Sequence, residues 1–387
     1  MPNRDLQGIL ESHFEWFHRR PELSNQEHET TAHIREILEA AGIEILDVPL
    51  KTGLVARLKG SISEGPVVAL RSDIDALSIT EVSQSPYPSE HPGVMHACGH
   101  DFHLTSLLGA AVLLQKERDT LPGAIKLLFQ PAEEGGNGAQ QVLDSGVLDD
   151  VQEIYGLHTS AEHESGIIAV SPGAVNAAVG AFRILLHGKG GHAALPHFCL
   201  DPIPAAAQII SAAQTIVSRT ISPFDQAVLS ITHIEAGTTW NVIPPEALLE
   251  GTIRTFNTER LSEVSEQLEK LARGIGENMG LKVEYSWQIN TVATNNDPLL
   301  SGFVADTARN LGFTVVPAVP SMGGEDFALY QQRIPGAFWT IGVGSPQALH
   351  HPGFTADPAA LSTAAELMAA LGVAALRRMA DNPERAL

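Results

Sequence analysis

The order of predicted strands and helices changes along this chain of 387 residues, and that change is its strongest constraint on a fold. After two helices, one from about Leu6 to Phe17 and one over "NQEHETTAHIREILEAAG", short apolar strands such as "PVVALRSDIDAL" alternate with helical segments such as "LTSLLGAAVLLQKE". Such alternation is typical of an α/β domain, whose functional groups lie where strands end in loops. We therefore predict an α/β fold around a mostly parallel sheet.

Residues 175–291 follow a different pattern. Strand-like and helical segments occur there in the order β-α-β-β-α-β, which is typical of a compact split-βαβ module. Its first helix is predicted to begin after Asp201, with Pro202 in the first turn, and its second helix near Thr258. We predict a discontinuous catalytic domain of residues 1–174 and 292–387, into which this smaller ferredoxin-like domain is inserted.

Residue composition argues against nucleic acids and membranes as partners. The formal net charge is −21, and no basic stripe is present to neutralise phosphates or anionic lipids. No run is predicted to be long and apolar enough to span a bilayer, and the N-terminus lacks the apolar core and cleavage site of a signal peptide.

Cys98 and Cys199 are the only cysteines, which favours a reducing compartment. We predict a cytoplasmic protein.

The stretch "MHACGHDFH" places one cysteine and three histidines close together. Cys98 and His100 are two residues apart, so in an extended loop both side chains could turn toward one ion. Thiolate and imidazole are good ligands for zinc and similar metals. A lone Cys-x-His pair is more often structural, so this stretch alone leaves both interpretations open.

Glutamates and further histidines near predicted strand ends are also candidate ligands. "FQPAEEGGNG" carries Glu133 and Glu134, whose side chains would diverge in an extended segment, so that one could hold a metal while the other faces a substrate. A solvated acidic loop is the alternative. His158 follows an apolar strand, and His350 and His351 occur late in the chain. Cys98, His100, Glu134, His158 and His350 exceed what one tetrahedral ion needs, and they suit two ions that share a bridge.

These motifs together resemble a known family, the binuclear metal-dependent amidohydrolases and carboxypeptidases. That family holds aminoacylases, hippurate hydrolase and plant auxin-conjugate hydrolases, and the chain most resembles the hippurate and auxin-conjugate branch. The matching stretches include "RRPELSNQEHET", "LRSDIDAL", "GVMHACGHDFH", "FQPAEEGGNGA", "GKGGHAALPH", "WNVIPPEALLEGTIRTF", "GGEDFALY" and "LHHPGF". The resemblance implies that the inserted module is a lid and dimerisation domain, and hence that the chain forms a homodimer or a dimer-based oligomer that acts on a small-molecule substrate.

The resemblance also implies roles around two divalent ions, zinc or manganese in the first place, with nickel or cobalt possible. Cys98 would bridge the ions, where other branches use an aspartate. His100 and His158 would complete one ion, and Glu134 and His350 the other. Asp75 would orient a ligand histidine, with Asp73 as a competing choice. Because a second histidine follows His350, His351 could substitute for it.

Other residues are assigned to the reaction by the same resemblance. Glu133 would be the general base, and His192 would act on the substrate of a neighbouring subunit. Asn241 and Arg254 would hold a substrate carboxylate, and Gly324 would also lie at the substrate. The "LHHPGFTADPAAL" stretch lacks the aromatic and acidic residues that commonly follow the last ligand, and "SMGGEDF" has an extra glycine.

The implied reaction is hydrolysis of the amide bond of an N-acyl L-amino acid, with an N-acetyl or N-aroyl group. A dipeptidase or small carboxypeptidase with the same binuclear site is an alternative. A non-catalytic metal-binding protein is another, although it would be expected to have lost Glu133 or some of the ligands.

Overall fold

The computed structural model describes residues 4–62, 64–135 and 137–381. Over these residues the helices are α1 (Arg4–Arg19), α2 (His28–Ala40), α3 (His100–Glu117), α4 (Gly138–Asp144), α5 (Pro202–Thr215), α6 (Thr258–Asn278), α7 (Pro298–Asn310), α8 (Phe327–Gln331) and α9 (Leu361–Asp381).

The strands of the described residues range in length from two to ten residues. They are β1 (Glu44–Ile45), β2 (Leu54–Lys59), β3 (Val67–Asp73), β4 (Ala124–Gln130), β5 (Glu153–Ser160), β6 (Ile168–Ala169), β7 (Gly173–Asn176), β8 (Ala178–His187), β9 (Gly191–His192), β10 (Ala227–Ala236), β11 (Val242–Ile243), β12 (Glu246–Thr255), β13 (Lys282–Thr291), β14 (Thr294–Asn296), β15 (Val315–Val316) and β16 (Gly336–Gly342).

The chain folds into two compact units, of which the first consists of Met1–Gly173, Asn295–Val319 and Asp326–Leu387. It contains an eight-stranded sheet in the order β1-β2-β4-β3-β5-β16-β6-β15. The four central strands β4, β3, β5 and β16 are parallel. They are buried almost throughout, as expected for parallel strands covered on both faces. This arrangement confirms the predicted α/β fold with a mostly parallel sheet.

The second unit consists of Ala174–Thr294 and Pro320–Glu325. Its long elements follow the predicted order, β8-α5-β10-β12-α6-β13, and its sheet has the antiparallel order β10-β12-β8-β13. Buried and more exposed residues alternate along β8, because α5 and α6 pack on one face of this sheet. The side chain of Asp201 caps α5, as predicted, whereas α6 is capped by Asn257.

One short segment belongs to a different unit than the sequence suggested. Residues 320–325, predicted to lie in the catalytic domain, are part of the second unit. Ser321 donates its backbone N–H to Val175, and Ala177 donates in return to the carbonyls of Ser321 and Gly323. These backbone pairs form between residues far apart in sequence, so local patterns could not reveal them.

Helix α9 contradicts one sequence prediction. Together with the turn before it, it forms a stretch of 24 residues, Pro358–Asp381, that is long and apolar enough to cross a bilayer. Most of its residues are nevertheless buried within the first unit, where α9 packs against α3 and β3. The core helix of a globular protein is apolar on most sides, as a membrane span is. We therefore interpret α9 as the central core helix of the first unit.

Two helices begin elsewhere than their sequence patterns indicated. Helix α2 begins at His28, because the carboxylate of Glu22 accepts hydrogen bonds from the backbone N–H groups of His28, Glu29 and Thr30. Helix α3 begins at His100 rather than at Leu104. The second difference places a candidate metal ligand in the first turn of a helix.

Candidate metal centre

The carboxyl ends of the four central parallel strands meet at one edge of the large sheet. Asp75 follows β3, the Glu133–Glu134 pair follows β4, His158 lies near the end of β5, and His350 lies in the loop after β16. His158 is thus inside its strand and not after it. Because parallel strands all end at the same edge, side chains from distant parts of the chain come together there.

Five side chains place their potential ligand atoms close together in two groups that share Cys98. The Sγ atom of Cys98 is 3.4 Å from Nε2 of His158 and 3.3 Å from Nε2 of His350. Oε1 of Glu134 is 3.2 Å from Nε2 of His350 and 3.9 Å from Nε2 of His100. The two groups are Cys98, His100 and His158, and Cys98, Glu134 and His350; within each, the ligand atoms lie within 4.8 Å of one another.

The donor atoms of this cluster fit metal ions. Nε2 of His100 is buried and has no hydrogen-bond partner within residues 4–62, 64–135 and 137–381, whereas the buried Oε1 of Glu134 contacts Nε2 of His350 at 3.2 Å. A buried polar atom without a partner is costly, so a ligand for Nε2 of His100 is expected. Nδ1 of His158 donates to the carbonyl of Thr159 at 2.8 Å, which directs its Nε2 atom toward Cys98. Sulfur, imidazole and carboxylate donors suit zinc and related divalent metals.

The electrostatics of the cluster also suit cations. Burial raises the pKa of the Cys98 thiol well above its ordinary value, and the nearby carboxylate of Glu134 raises it further. Burial would lower the pKa of His100, but Asp73 and Asp75 outweigh it and raise this pKa well above its ordinary value. The surroundings of both side chains therefore favour added positive charge, which a coordinated metal ion would provide while deprotonating the thiol.

The two aspartates of "RSDID" have different partners. Oδ1 of Asp75 is 3.2 Å from Nδ1 of His100, on the side of the ring that faces away from the cluster. Oδ1 of Asp73 is 2.6 Å from Nδ1 of His103, and its Oδ2 is 2.7 Å from the guanidinium of Arg71. Asp75 therefore lies behind the candidate ligand His100, and Asp73 lies behind His103.

A glycine in the left-handed region separates Cys98 from His100. Gly99 has a φ of 85° and precedes the first turn of α3, so these residues do not form the extended loop that the sequence suggested. A Cβ atom at Gly99 would lie 2.7 Å from Oγ1 of Thr159, which excludes any larger residue without rearrangement. The turn at Gly99 allows both side chains to reach one cluster although the backbone changes direction between them.

Glu133 and Glu134 do not diverge as predicted. Ala132 before them has a φ of 54°, and a turn follows, so one carboxylate oxygen of each glutamate lies within 4.8 Å of the other and of a ring nitrogen of His100. The backbone N–H groups of Glu133 and Glu134 donate to the two oxygens of Asp75 at 3.1 and 3.0 Å. Asp75 thus contacts both the candidate ligand histidine and the glutamate pair.

His350 and His351 are separated by the backbone conformation of their turn. His350 has a φ of 63°, and its N–H donates to the carbonyl of Ala97 at 2.8 Å, next to Cys98. Nδ1 of His351 instead accepts a hydrogen bond from the N–H of Gly353 in its own turn, at 3.0 Å. The structure therefore places His350, and not His351, against Cys98.

The other two histidines of "MHACGHDFH" belong to neither of the two groups that share Cys98. Nε2 of His103 accepts from the N–H of Thr159 at 2.7 Å, and burial lowers the pKa of His103 to about 3. The ring of His96 is buried with no hydrogen-bond partner among the residues described, and burial lowers its pKa to about 4. Spacing alone could not distinguish these neutral, buried histidines from His100.

A buried charged group near the start of α3, centred on His18, was not predicted from the sequence. Nδ1 of His18 lies 2.6 Å from Asp101, and Nε2 lies 3.3 Å from Glu81. Burial would lower the pKa of His18, but the hydrogen bonds and charges of these two carboxylates raise it to about 9. At neutral pH His18 is therefore a cation that links α1, the first turn of α3 and the loop at Glu81. The matching stretch begins just after it, at Arg19, so no motif singled it out.

The candidate substrate residues lie in the second unit, in two places. His192 and Asn241 are neighbours, because β9 pairs with β11 and the N–H of Ala193 donates to the carbonyl of Asn241 at 3.2 Å. Both side chains are exposed. Nδ1 of His192 accepts from the N–H of Ala194 at 3.1 Å, which leaves Nε2–H as the donor of the neutral ring.

Arg254 and Gly324 lie near each other in the same unit. The guanidinium of Arg254 donates to the carbonyl of Met322 at 2.7 Å. A Cβ atom at Gly324 would lie 3.0 Å from Val179 and 3.1 Å from Thr291, so a glycine permits the close approach of this segment. Arg254 thus holds the 320–325 segment through one of its nitrogens.

A match over most of the sequence decides the family of this chain. Residues 69–373 match peptidase family M20/M25/M40. The chain belongs to this family. It is an M20-type amidohydrolase, which confirms the resemblance inferred from the motifs.

Three proteins of known name or structure illustrate the relationship. The chain is 48% identical over 360 residues to the N-acetylcysteine deacetylase of Bacillus subtilis, covering 93% of this chain and 94% of the relative. It is 38% identical over 330 residues to thermostable carboxypeptidase 2 of Saccharolobus solfataricus, covering 84% of each. A Bacillus subtilis structure described as a dinuclear metal-binding peptidase of the M20 family is 43% identical, with a TM-score of 0.88 and coverage of 97% and 99%.

Proposed function

We propose that this M20 enzyme hydrolyses the amide bond of N-acyl L-amino acids, releasing a carboxylate and an amino acid. One observation carries the proposal: two groups of potential ligands share Cys98, and a second carboxylate, Glu133, lies beside them. The similarity to a protein named N-acetylcysteine deacetylase supports a small acyl group on the substrate.

The proposed cofactors are two divalent ions, zinc or manganese in the first place. Cys98, His100 and His158 would hold one ion, and Cys98, Glu134 and His350 the other, in agreement with the two groups of converging atoms. When bound, the ions would activate a water molecule and polarise the scissile carbonyl. The description of a similar structure as dinuclear supports two ions in place of one.

Proton transfer is assigned to Glu133. Its backbone N–H is held by Asp75, and its carboxylate lies within 4.8 Å of His100 and Glu134. In the proposed mechanism Glu133 accepts a proton from the attacking water and then delivers it to the departing nitrogen. Asp75, by contact with the His100 ring, keeps Nε2 of that ring directed at the cluster.

The residues of the second unit are assigned to substrate recognition. Nε2–H of His192 would donate to the oxyanion of the tetrahedral intermediate, a contribution of about 3 kcal/mol for a well-placed donor. Arg254 and Asn241 would bind the free carboxylate of the amino acid, since the Met322 carbonyl contacts Nη1 of Arg254 and a guanidinium can donate further hydrogen bonds to a carboxylate. Gly324 would allow close approach of the backbone beside Arg254.

A carboxypeptidase or dipeptidase activity is the second candidate, supported by the similarity to thermostable carboxypeptidase 2. A substrate panel separates the two. We expect kcat/KM for N-acetyl and N-benzoyl L-amino acids to exceed that for dipeptides by about 10-fold or more after loading with zinc, manganese, cobalt or nickel. Methyl esters of the same N-acyl amino acids, which lack the free carboxylate, should show a raised KM. Faster hydrolysis of dipeptides would reverse the assignment.

We also propose that the enzyme is a homodimer in which His192 acts on the partner's substrate. The second unit carries large exposed apolar side chains near His192, among them Leu195, Phe198 and Trp240, and such side chains favour burial against another surface. A cytoplasmic location is proposed from the two free cysteines.

Subunit mixing tests the sharing of the site. Glu133→Ala and His192→Ala should each be nearly inactive alone. After random exchange of subunits, one site in each heterodimer would regain both residues, and about one quarter of normal activity should return. The rate is measured before and after exchange, with each variant incubated alone as the control. If activity stays absent although heterodimers form, His192 acts within its own subunit.

A further inference from the structure

The turn that carries the glutamate pair is held by two buried carboxylates. Three successive backbone N–H groups, those of Ala132, Glu133 and Glu134, each donate to a carboxylate oxygen. Ala132 donates to Oε1 of Glu27 at 2.8 Å, and the next two residues donate to Asp75 at 3.1 and 3.0 Å. Asp75 has a further role behind His100, whereas the contact of Glu27 with the site is through Ala132.

The burial of Glu27 calls for an explanation. The residue is 0% exposed, although it precedes a helix in a polar stretch of the sequence. Its Oε2 atom accepts a hydrogen bond from the hydroxyl of Thr52 at 2.7 Å, while Oε1 is bonded to Ala132. Burying a carboxylate is costly unless its hydrogen bonds compensate, so a hydrophobic residue would be expected here if packing were the only requirement.

Ala132 needs this support because of its backbone conformation. Its φ of 54° lies in the left-handed region, which residues with a Cβ atom rarely adopt. Such conformations persist where surrounding contacts enforce them, and they are frequent at functional sites. The hydrogen bond from Ala132 to Glu27 fixes the peptide that joins Pro131 to Ala132, at the start of the turn, so its loss would allow both glutamates to change direction.

The segment that contains Glu27 is itself attached to the aspartate behind His100. The hydroxyl of Ser24 donates to Oδ2 of Asp75 at 2.6 Å, and the N–H of Ala76 donates to the carbonyl of Glu22 at 2.8 Å. This segment is the "PELSNQE" part of a stretch that matches the family, and none of its residues belongs to the candidate ligands.

We propose that Glu27 is a positioning residue, which directs the carboxylates of Glu133 and Glu134 by holding the backbone N–H of Ala132. The proposal rests on the proposed function of these two glutamates. Catalysis depends on sub-ångström placement of reacting groups, so displacement of this turn should lower kcat more than it raises KM. It should also weaken metal binding through Glu134.

Glu27→Met and Glu27→Gln test the proposal. Methionine has a similar length but no oxygen, whereas glutamine keeps one carbonyl oxygen for Ala132 and offers an N–H₂ group to Thr52. We expect Glu27→Met to lower kcat by about 10-fold or more in metal-saturated protein, and Glu27→Gln to stay within about 3-fold of the parent. Faster amide hydrogen exchange at residues 130–135 and a weaker zinc affinity should accompany the loss in Glu27→Met.

Thr52→Val is the matched control, because it removes the other hydrogen bond of Glu27 and leaves the one to Ala132. It should lower the melting temperature with kcat unchanged. If Glu27→Met behaves in the same way, the role of Glu27 is merely structural and the proposal is overturned. Equal losses in Glu27→Met and Glu27→Gln would also overturn it.

Two further variants distinguish a failure of the positioning role of Glu27 from a folding defect and from a failure of the proposed function. If Glu27→Met does not fold, Glu27→Asp retains the charge on a shorter side chain, and a normal kcat for it would contradict the proposal. Glu133→Gln separates this proposal from the proposed function. If Glu133→Gln is inactive and Glu27→Met is normal, only the positioning role fails; if Glu133→Gln is fully active, the general-base assignment fails.

Discussion

Glu133→Gln should lower kcat by about 10²- to 10⁴-fold while the protein keeps its full metal content, because a general base acts in the transition state and an amide cannot accept the proton. Glutamine has nearly the same shape, and the backbone N–H of residue 133 remains bonded to Asp75. KM should change little. Steady-state kinetics with N-acyl amino acids, together with metal analysis of the purified variant, provide the measurement.

Glu134→Gln changes the adjacent glutamate and is the comparison for Glu133→Gln. Oε1 of Glu134 lies 3.2 Å from Nε2 of His350, so this change removes a charged ligand from the Cys98–Glu134–His350 group. We expect lower metal occupancy and a rate that recovers in part when metal is added in excess. Equal loss of metal in the two variants would contradict the division of roles between the adjacent glutamates.

Cys98→Ser should lose most of its bound metal and most of its turnover. Cys98 belongs to both groups of potential ligands, and two adjacent cations need an anion between them. Serine has nearly the same size, but its hydroxyl is neutral at pH 7, so the repulsion between the ions is no longer offset. Metal stoichiometry and kcat measured over a range of added zinc or manganese test this expectation.

The controls for Cys98→Ser come from the same chain. Cys199→Ser changes the other cysteine, which lies in the second unit, and should leave both metal content and rate unchanged. Cys98→Asp restores an anion and should recover part of the metal binding. Melting temperatures measured with a chelator show whether the apoprotein folds normally. Two ions and a normal rate in Cys98→Ser would exclude the thiolate bridge.

Several features could be predicted from the sequence because they depend on local patterns. Apolar runs such as β3 and β4 identify buried parallel strands, and the order β-α-β-β-α-β identifies the second unit. The side chain of Asp201 begins α5 through a contact with the N–H of Ile203, two positions away. The family could be inferred because its motifs occur in one order along nearly the whole chain.

Other features were decided by contacts that do not follow from a periodic pattern. Glu22 sets the start of α2 from six to eight residues away, and the left-handed conformations of Gly99, Ala132 and His350 set the directions of the neighbouring side chains. None of these conformations follows from a periodic pattern, because each is enforced by tertiary packing and hydrogen bonds. The expectation that Glu133 and Glu134 diverge was wrong for this reason.

The sequence by itself determined which residue types are available to the site, since cysteine, histidine and paired glutamates near strand ends are visible in it. Only the tertiary structure decided which of them meet. His100 belongs to the group with Cys98 and His158, whereas Nε2 of His103 is bonded to the N–H of Thr159. His350 belongs to the group with Cys98 and Glu134, whereas His351 bonds to its own turn. The physical reason is that the direction of a side chain depends on backbone turns and buried partners, such as Asp75 for His100, that are contributed by distant segments.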